Sequence, residues 1–171
     1  MSSLWERLDL AFVAAFNGDM GMAGVYSDEL TLQEAVVNEV WDPDKGPWPR
    51  LILYSITADV GASEHGGGGV KRLDVAYPYL AVAVTTAGSY RAARADAQTL
   101  FDRMLAVLAK AGPILRAAMA ADPNSTAQAV RVTFRRGGAS GIEVRGRQGA
   151  NGGRFLGVAI AAWTVETKIG V

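Results

Sequence analysis

Residues 89–111 read SYRAARADAQTLFDRMLAVLAKA, with no proline and no internal glycine. Apolar side chains fall at Tyr90, Ala93, Ala97, Leu100, Phe101, Met104, Leu105, Leu108 and Ala111. Steps of three and four place them on one stripe of an α-helix. Arg91, Arg94, Asp102, Arg103 and Lys110 fall mostly off that stripe. Ser89 is suited to cap the helix, and Gly112-Pro113 is expected to stop it. At ~1.5 Å per residue the rod is roughly 35 Å long. An amphipathic helix of that length needs an apolar surface beneath it, and the segments on either side read as strands. The fold expected is therefore α+β: a mostly antiparallel sheet of about four to five strands, this long helix on one face, and a shorter N-terminal helix.

Toward the N-terminus, Ser3-Leu4-Trp5-Glu6 matches a capping box. Leu4, Leu8, Ala11, Phe12, Ala15 and Phe16 follow at helical spacing, and Gly18 or Gly21 ends the element. Residues 19–33 read as loop. Ala35–Trp41 reads as a short strand, and the turn cluster from Asp42 to Pro47 follows it. Arg50–Thr57 then has the composition of a buried strand, which predicts an antiparallel hairpin. Residues 61–69, GASEHGGGG, read as a flexible loop. Arg72–Thr86 is a long strand apolar in both parities, so both of its faces should be covered. Pro78 is expected at an edge or a bulge.

Toward the C-terminus, Pro113–Ala121 reads as a second short helix with proline at its first position. Gln128–Arg136 alternates cleanly, as a half-buried strand does. Residues 137–153 read as a glycine-rich loop with a small hairpin at Ile142-Glu143-Val144, and Phe155–Lys168 is the most apolar strand.

The length of 171 residues suits a single domain, 1–171, able to bury a real core. No apolar run reaches the ~20 residues that span a bilayer, so no membrane partner is expected. Glu6 and Asp9 stand where a signal peptide would want positive charge. The absence of cysteine excludes disulfides, zinc–thiolate sites and thiol catalysis. A formal net charge of zero argues against general nucleic-acid affinity. The charge is nonetheless uneven. Residues 1–64 hold three Arg/Lys against eleven Asp/Glu, whereas residues 128–171 hold seven against two. Either these are two solvated surfaces, or they are complementary faces that meet between copies.

Catalytic constellations are not expected. His65, the single histidine, sits beside four glycines, where rigid partners are not expected, and reads as a surface residue. Gly66–Gly69 lacks the spacing of a phosphate loop. Asp42 and Asp44 fit turn chemistry better than a cation site. Ser55 and Ser63 have no base in a recognisable motif. No cofactor or metal is called for. Arg131, Arg135, Arg136, Arg145, Arg147 and Arg154 form a basic set on two strands and the loop between them. Three readings stay open for it: a solvated face, a nucleic-acid contact, or contact with an acidic protein surface. The stacking aromatics that single strands favour are missing from residues 135–154, which weighs against the second.

The order helix, strand, strand, glycine loop, strand, long helix, strand, strand resembles the tail terminator (tail completion) proteins of long-tailed bacteriophages. The resemblance runs from Leu4 to Thr167. It is carried by Phe16-Asn17-Gly18-Asp19 at the end of the first helix, by Pro49-Arg50-Leu51-Ile52-Leu53, by Tyr79–Thr86 with the Gly88-Ser89 break and Ala92–Leu108, and by Arg154-Phe155-Leu156-Gly157. These are loose patterns in a fixed order. The resemblance implies a subunit without enzymatic activity that forms a homo-oligomeric, hexameric ring. Such a ring caps the tail tube at the neck of the virion, after assembly in the host cytoplasm. Its implied partners are further copies of the chain, the tail tube protein and the head–tail connector protein. Loops 61–71 and 137–153 would touch neighbouring rings, the tube or passing DNA. The residues expected at such contacts are Lys71, Arg72, Arg131, Arg135, Arg136, Arg145, Arg147, Asp42 and Asp44. Another connector or tube protein of the same particle shares the architecture. A small-molecule enzyme would instead need His65, Asp42 or Asp44 to converge in a cleft.

Overall fold

The computed structural model describes residues 4–20, 24–27, 48–55, 59–63, 72–120, 127–134, 140–147 and 154–170. Their order is α1 (Leu4–Met20), β1 (Gly24–Ser27), β2 (Arg50–Ser55), β3 (Asp59–Ser63), β4 (Arg72–Ala87), α2 (Tyr90–Ala120), β5 (Ala127–Phe134), β6 (Gly141–Arg147) and β7 (Arg154–Gly170). The fold is α+β, with a long helix and a shorter N-terminal helix on one face of a mostly antiparallel sheet.

Two long strands form the centre of that sheet. β4 and β7 pair antiparallel without interruption from Arg72↔Gly170 to Ala87↔Phe155. Each carries two short strands on its outer side. β2 and β3 lie end to end along β4, and β5 and β6 lie end to end along β7. β1 adds parallel to β2 at the far edge. The seven described strands therefore occupy five positions across the sheet.

Where two short strands abut, the long strand beside them has backbone groups that neither can pair. On β7 the break falls at Ala161 and Ala162, between the registers of β6 and β5. There the Ala162 N–H donates to Ser140 Oγ at 3.0 Å. On β4 the break falls at Tyr77 and Pro78, between β3 and β2. The Ala162 N–H points away from β4, so Leu80↔Ala162 is a non-hydrogen-bonded pair. Pro78↔Thr164, two residues along, has the same parity. Pro78 nitrogen thus faces the break, and a residue without an N–H leaves no donor orphaned there. Pro78 sits in a central strand, yet at a local edge of it, between the reach of β3 and that of β2, which refines the expectation of an edge or bulge. Ser140→Ala should cost about 0.5–1.5 kcal/mol by stranding the Ala162 N–H. Urea denaturation measures this, and an unchanged midpoint would mean that another acceptor replaces the hydroxyl.

Both helices cover the face formed by odd-numbered residues of β2, β4 and β7. Leu8, Phe12 and Phe16 of α1 and Leu100, Met104, Val107, Leu108, Ala111 and Leu115 of α2 are buried against Leu51, Leu53, Tyr79, Ala81, Ala159, Ala161, Trp163 and Val165. Four aromatics, Phe12, Phe16, Tyr79 and Trp163, hold the middle. Tyr79 and Trp163 are cross-strand partners stacked at 5.5 Å, and Phe12 packs on each with ring centroids 5.0 Å away. The opposite face has its own buried cluster of Ile52, Val82, Val84, Leu156 and Val158, with Trp48 and Tyr54 packed against it. This agrees with the apolar character of both parities of β4.

The helix is closest to the sheet at its N-terminal end. A Cβ on Gly157 would lie 2.3 Å from the Ala93 carbonyl oxygen. Ala93 and Ala97, both fully buried, fill this narrow end, and larger residues fill the space farther along. Ser89 caps the helix as expected: its Oγ accepts the Ala92 N–H at 3.2 Å, and its carbonyl accepts the Ala93 N–H at 3.0 Å.

Several expectations are corrected. Helix α2 does not stop at Gly112-Pro113 but runs to Ala120 as one element with Pro113 inside it. Ala109 and Pro113, four apart, both lie on the exposed side, so the carbonyl that proline frees faces water. The buried stripe continues past it through Ala111 and Leu115. Tyr90 leaves the stripe and is exposed, whereas Val107, omitted from it, is buried. Residues 24–27, read as loop, form β1, and residues 61–63 belong to β3. From Arg50 to Leu53 both edges of β2 are taken, by β1 and β4, in place of the expected hairpin mate. Ala35–Trp41 itself lies outside the described residues.

Candidate assembly surface

Strand register puts the described members of the basic set on one sheet face but toward its two ends, since Arg131 lies opposite Glu166 and Arg145 opposite Leu156, roughly 33 Å apart along β7. β7 alternates between the helix side, marked by Gly157 and Trp163, and the opposite side. Arg131 pairs with Glu166 across β5 and β7, and Arg145 pairs with Leu156 across β6 and β7. Both pairs have the even β7 parity, so both arginines stand on the face away from the helices. Arg154 and Lys168, exposed, share that parity. Glu143, opposite Val158, shares it as well. β5 and β6, consecutive in the chain, thus put cations on one sheet face because both dock on β7.

Most of these charges are locally balanced. Arg145 grips Glu143 with two hydrogen bonds, Nε to Oε1 at 3.0 Å and Nη2 to Oε2 at 2.9 Å. That hydrogen bonding holds the Glu143 carboxyl below its ordinary range and the Arg145 guanidinium above its own. A lowered carboxylate pKa adds stability above the unfolded pKa, and this is lost as pH falls through the folded one. The pair is about half exposed, so screening keeps its contribution small. Arg131 approaches Glu166 at 3.9 Å, with both side chains largely in solvent.

Of the other residues expected at contacts, Arg72 lies opposite Gly170 at the end of β4, and Arg147 lies opposite Arg154 at the end of β6. Lys71, Arg135, Arg136, Asp42 and Asp44 lie outside the described residues, as does His65. The enzymatic alternative, which needs His65, Asp42 or Asp44 in a cleft, therefore falls on residues that are not described. A cleft of about 170 Å³ between α2 and the start of β2 is lined by Pro49, Thr85, Asp96, Thr99, Leu100 and Arg103. That is below the ~300 Å³ at which small-molecule sites begin. Among the described residues no group of three or more His, Asp or Glu is placed to hold a metal ion. Nor is any described helix long and apolar enough to cross a membrane.

Arg50, within the Pro49–Leu53 segment that carries part of the tail-terminator resemblance, is buried at the start of β2. Its guanidinium carbon lies 4.8 Å from the centre of the Trp48 ring. A cation over an indole face at that distance is an attractive contact. Sequence reading missed one surface feature altogether. Tyr90 is 53% exposed and meets Phe155 edge-to-face at 6.2 Å. Its helical spacing assigned it to the core; its place at the first position of the helix, beyond the end of the sheet-covering stripe, was the available signal.

The fold and this surface define an α+β sheet protein with a helical layer on one face, the other face combining a buried apolar cluster with exposed charges toward its ends. No family model matches the chain, and no curated protein matches it either.

Proposed function

We propose that this chain is a virion structural subunit, similar to the tail terminators of long-tailed phages. It acts by surface complementarity in a homo-oligomeric, hexameric ring that caps the tail tube at the neck and joins it to the head. In this reading it is not an enzyme, and its partners are other copies, the tube protein and the connector. The observation that supports the reading is the architecture. A long helix and a short N-terminal helix cover one face of a mostly antiparallel sheet, although the observed order, helix, four strands, long helix and three strands, has more strands than the order on which the resemblance rests. On the opposite face the exposed cations Arg131 and Lys168 at one end, and Arg145 and Arg154 at the other, add charge that could meet the acid-rich first third of a neighbouring copy. A closed ring needs such unlike patches in contact.

Exposed pairs give only ~0–1 kcal/mol each, so apolar contact supplies most of the affinity while charge sets orientation and rate. Electron microscopy of the purified protein should show rings at low salt. Ring number should fall as salt rises past about 0.1 M, where screening acts over ~10 Å. Arg131→Glu with Lys168→Glu should reduce it further. A protein that stays monomeric at every concentration would refute the ring. Rings indifferent to both salt and the reversals would refute the charged contact.

A further inference from the structure

We propose that the end of the molecule where α2, β6 and β7 meet binds single-stranded nucleic acid, with Tyr90 as a stacking platform and arginines on the phosphates. The proposal is independent of the ring. It stands on three observations. First, Tyr90 is one of two large hydrophobic residues exposed among the described ones, and its ring is braced edge-to-face by Phe155 at 6.2 Å. A braced, exposed aromatic ring offers a π-face to any base. Phe155 is half-buried and lies opposite Gly146 of β6. Second, register brings three elements to this point. Ala87 and Gly146 both pair with Phe155, so the start of α2 and the end of β6 flank it. Third, two exposed arginines, Arg91 and Arg94, stand with Tyr90 on the first turns of α2.

Arg91 and Arg94 are the cations placed to act with Tyr90. Arg94 is one helical turn on, on the same side of α2, and Arg91 is adjacent. Both are exposed. An arginine guanidinium can meet a phosphate with two N–H groups and can also stack on a base. The favoured ligand is a single strand. In a duplex the bases are already stacked on one another and give Tyr90 no open face. An acidic peptide would satisfy the arginines but leave the ring unused.

The test is fluorescence anisotropy with a labelled oligothymidylate of about 16 nucleotides, the upper site size for a single-strand groove. The wild-type protein should bind it at low salt and lose affinity as salt rises. Tyr90→Ala should weaken binding roughly tenfold or more, while Tyr90→Phe, which keeps the ring, should not. Arg91→Gln with Arg94→Gln should weaken binding and flatten the salt dependence, by about 0.7 in log–log slope for each phosphate no longer neutralised. Absence of binding at low salt would overturn the proposal. So would competition by duplex DNA or polyglutamate as strong as that by the unlabelled oligonucleotide, or a Tyr90→Ala protein that binds like wild type. Thermal melting checks that each variant is folded. Should Tyr90→Ala fail to fold, the exposed arginine pair decides the question alone.

Discussion

Gly157→Ala is expected to lower the melting temperature by roughly 6–12 °C. The added Cβ would sit 2.3 Å from the Ala93 carbonyl oxygen and 3.1 Å from Thr85 Cγ2. The first neighbour is backbone, inside a capped helix, and cannot rotate away. Relief requires α2 to lift from β7, which opens the packing of Ala93 and Ala97. Overpacking of this kind costs about 1–3 kcal/mol and sometimes more, and the absence of a flexible neighbour puts Gly157 at the upper end. For a domain of this size ~1 kcal/mol moves the midpoint by about 2–4 °C, which sets the range above. Gly18→Ala is the control. Nothing lies within 4 Å of a Cβ there, and the residue is exposed within α1. It should stabilise by about 0.5–1 kcal/mol through lost chain freedom in the unfolded state. Circular-dichroism melts of the two variants settle the matter. A Gly157→Ala protein as stable as wild type would mean that helix and sheet are not in this close contact.

Trp163→Ala should be the most damaging substitution of all, at about 3–5 kcal/mol. Trp163 is fully buried and touches Phe12, Phe16 and Tyr79, so its removal takes the keystone from contacts between both long strands and α1. Against a total stability of about 5–15 kcal/mol, that leaves little margin. Trp163→Phe separates two causes. Its indole Nε1 is buried and has no acceptor among the described residues. Phenylalanine keeps much of the volume and removes that unsatisfied donor, which otherwise carries a desolvation penalty of about 1–3 kcal/mol. The phenylalanine variant should therefore lose far less than the alanine one in urea titrations. Equal losses would show that the indole donor is satisfied after all.

The fold was legible where periodicity is local. The stripe from Ala93 to Ala111, the cap at Ser89 and the two-sided apolar run of Arg72–Thr86 each report their element through neighbours a few residues away. What escaped was decided at a distance. Gly24-Val25-Tyr26-Ser27 and Asp59–Ser63 are too short to announce themselves by pattern, and they are strands because β2 and β4 offer them an edge. Gly112-Pro113 carries a strong stop signal, yet burial of Leu115 and the solvent-facing position of Pro113 outweigh it. The surface divides in the same way. Alternation correctly grouped Arg131 with its strand neighbours. That β5 and β6 both dock on β7, and so put Arg131 and Arg145 on one face of the sheet, depends on contacts no local pattern encodes. The meeting of Tyr90 with Phe155 is of that kind too, since the two are joined only once β4 and β7 have paired.

The central ladder also fixes an order of events during synthesis. Every pair in it, from Ala87↔Phe155 to Arg72↔Gly170, joins the strand before the long helix to the last described strand of the chain. α2 can wind locally in the interval, because a capped helix needs nothing beyond its own residues to start. β4 has no such recourse. As it leaves the ribosome it can recruit β2 and β3 on one side, but its other edge stays open until β7 arrives. An apolar strand with a waiting edge is a template for the wrong partner. Neighbouring copies growing on one message would present that same edge to each other. The interval before β7 emerges is therefore the one in which the open edge of β4 is most exposed to a wrong partner.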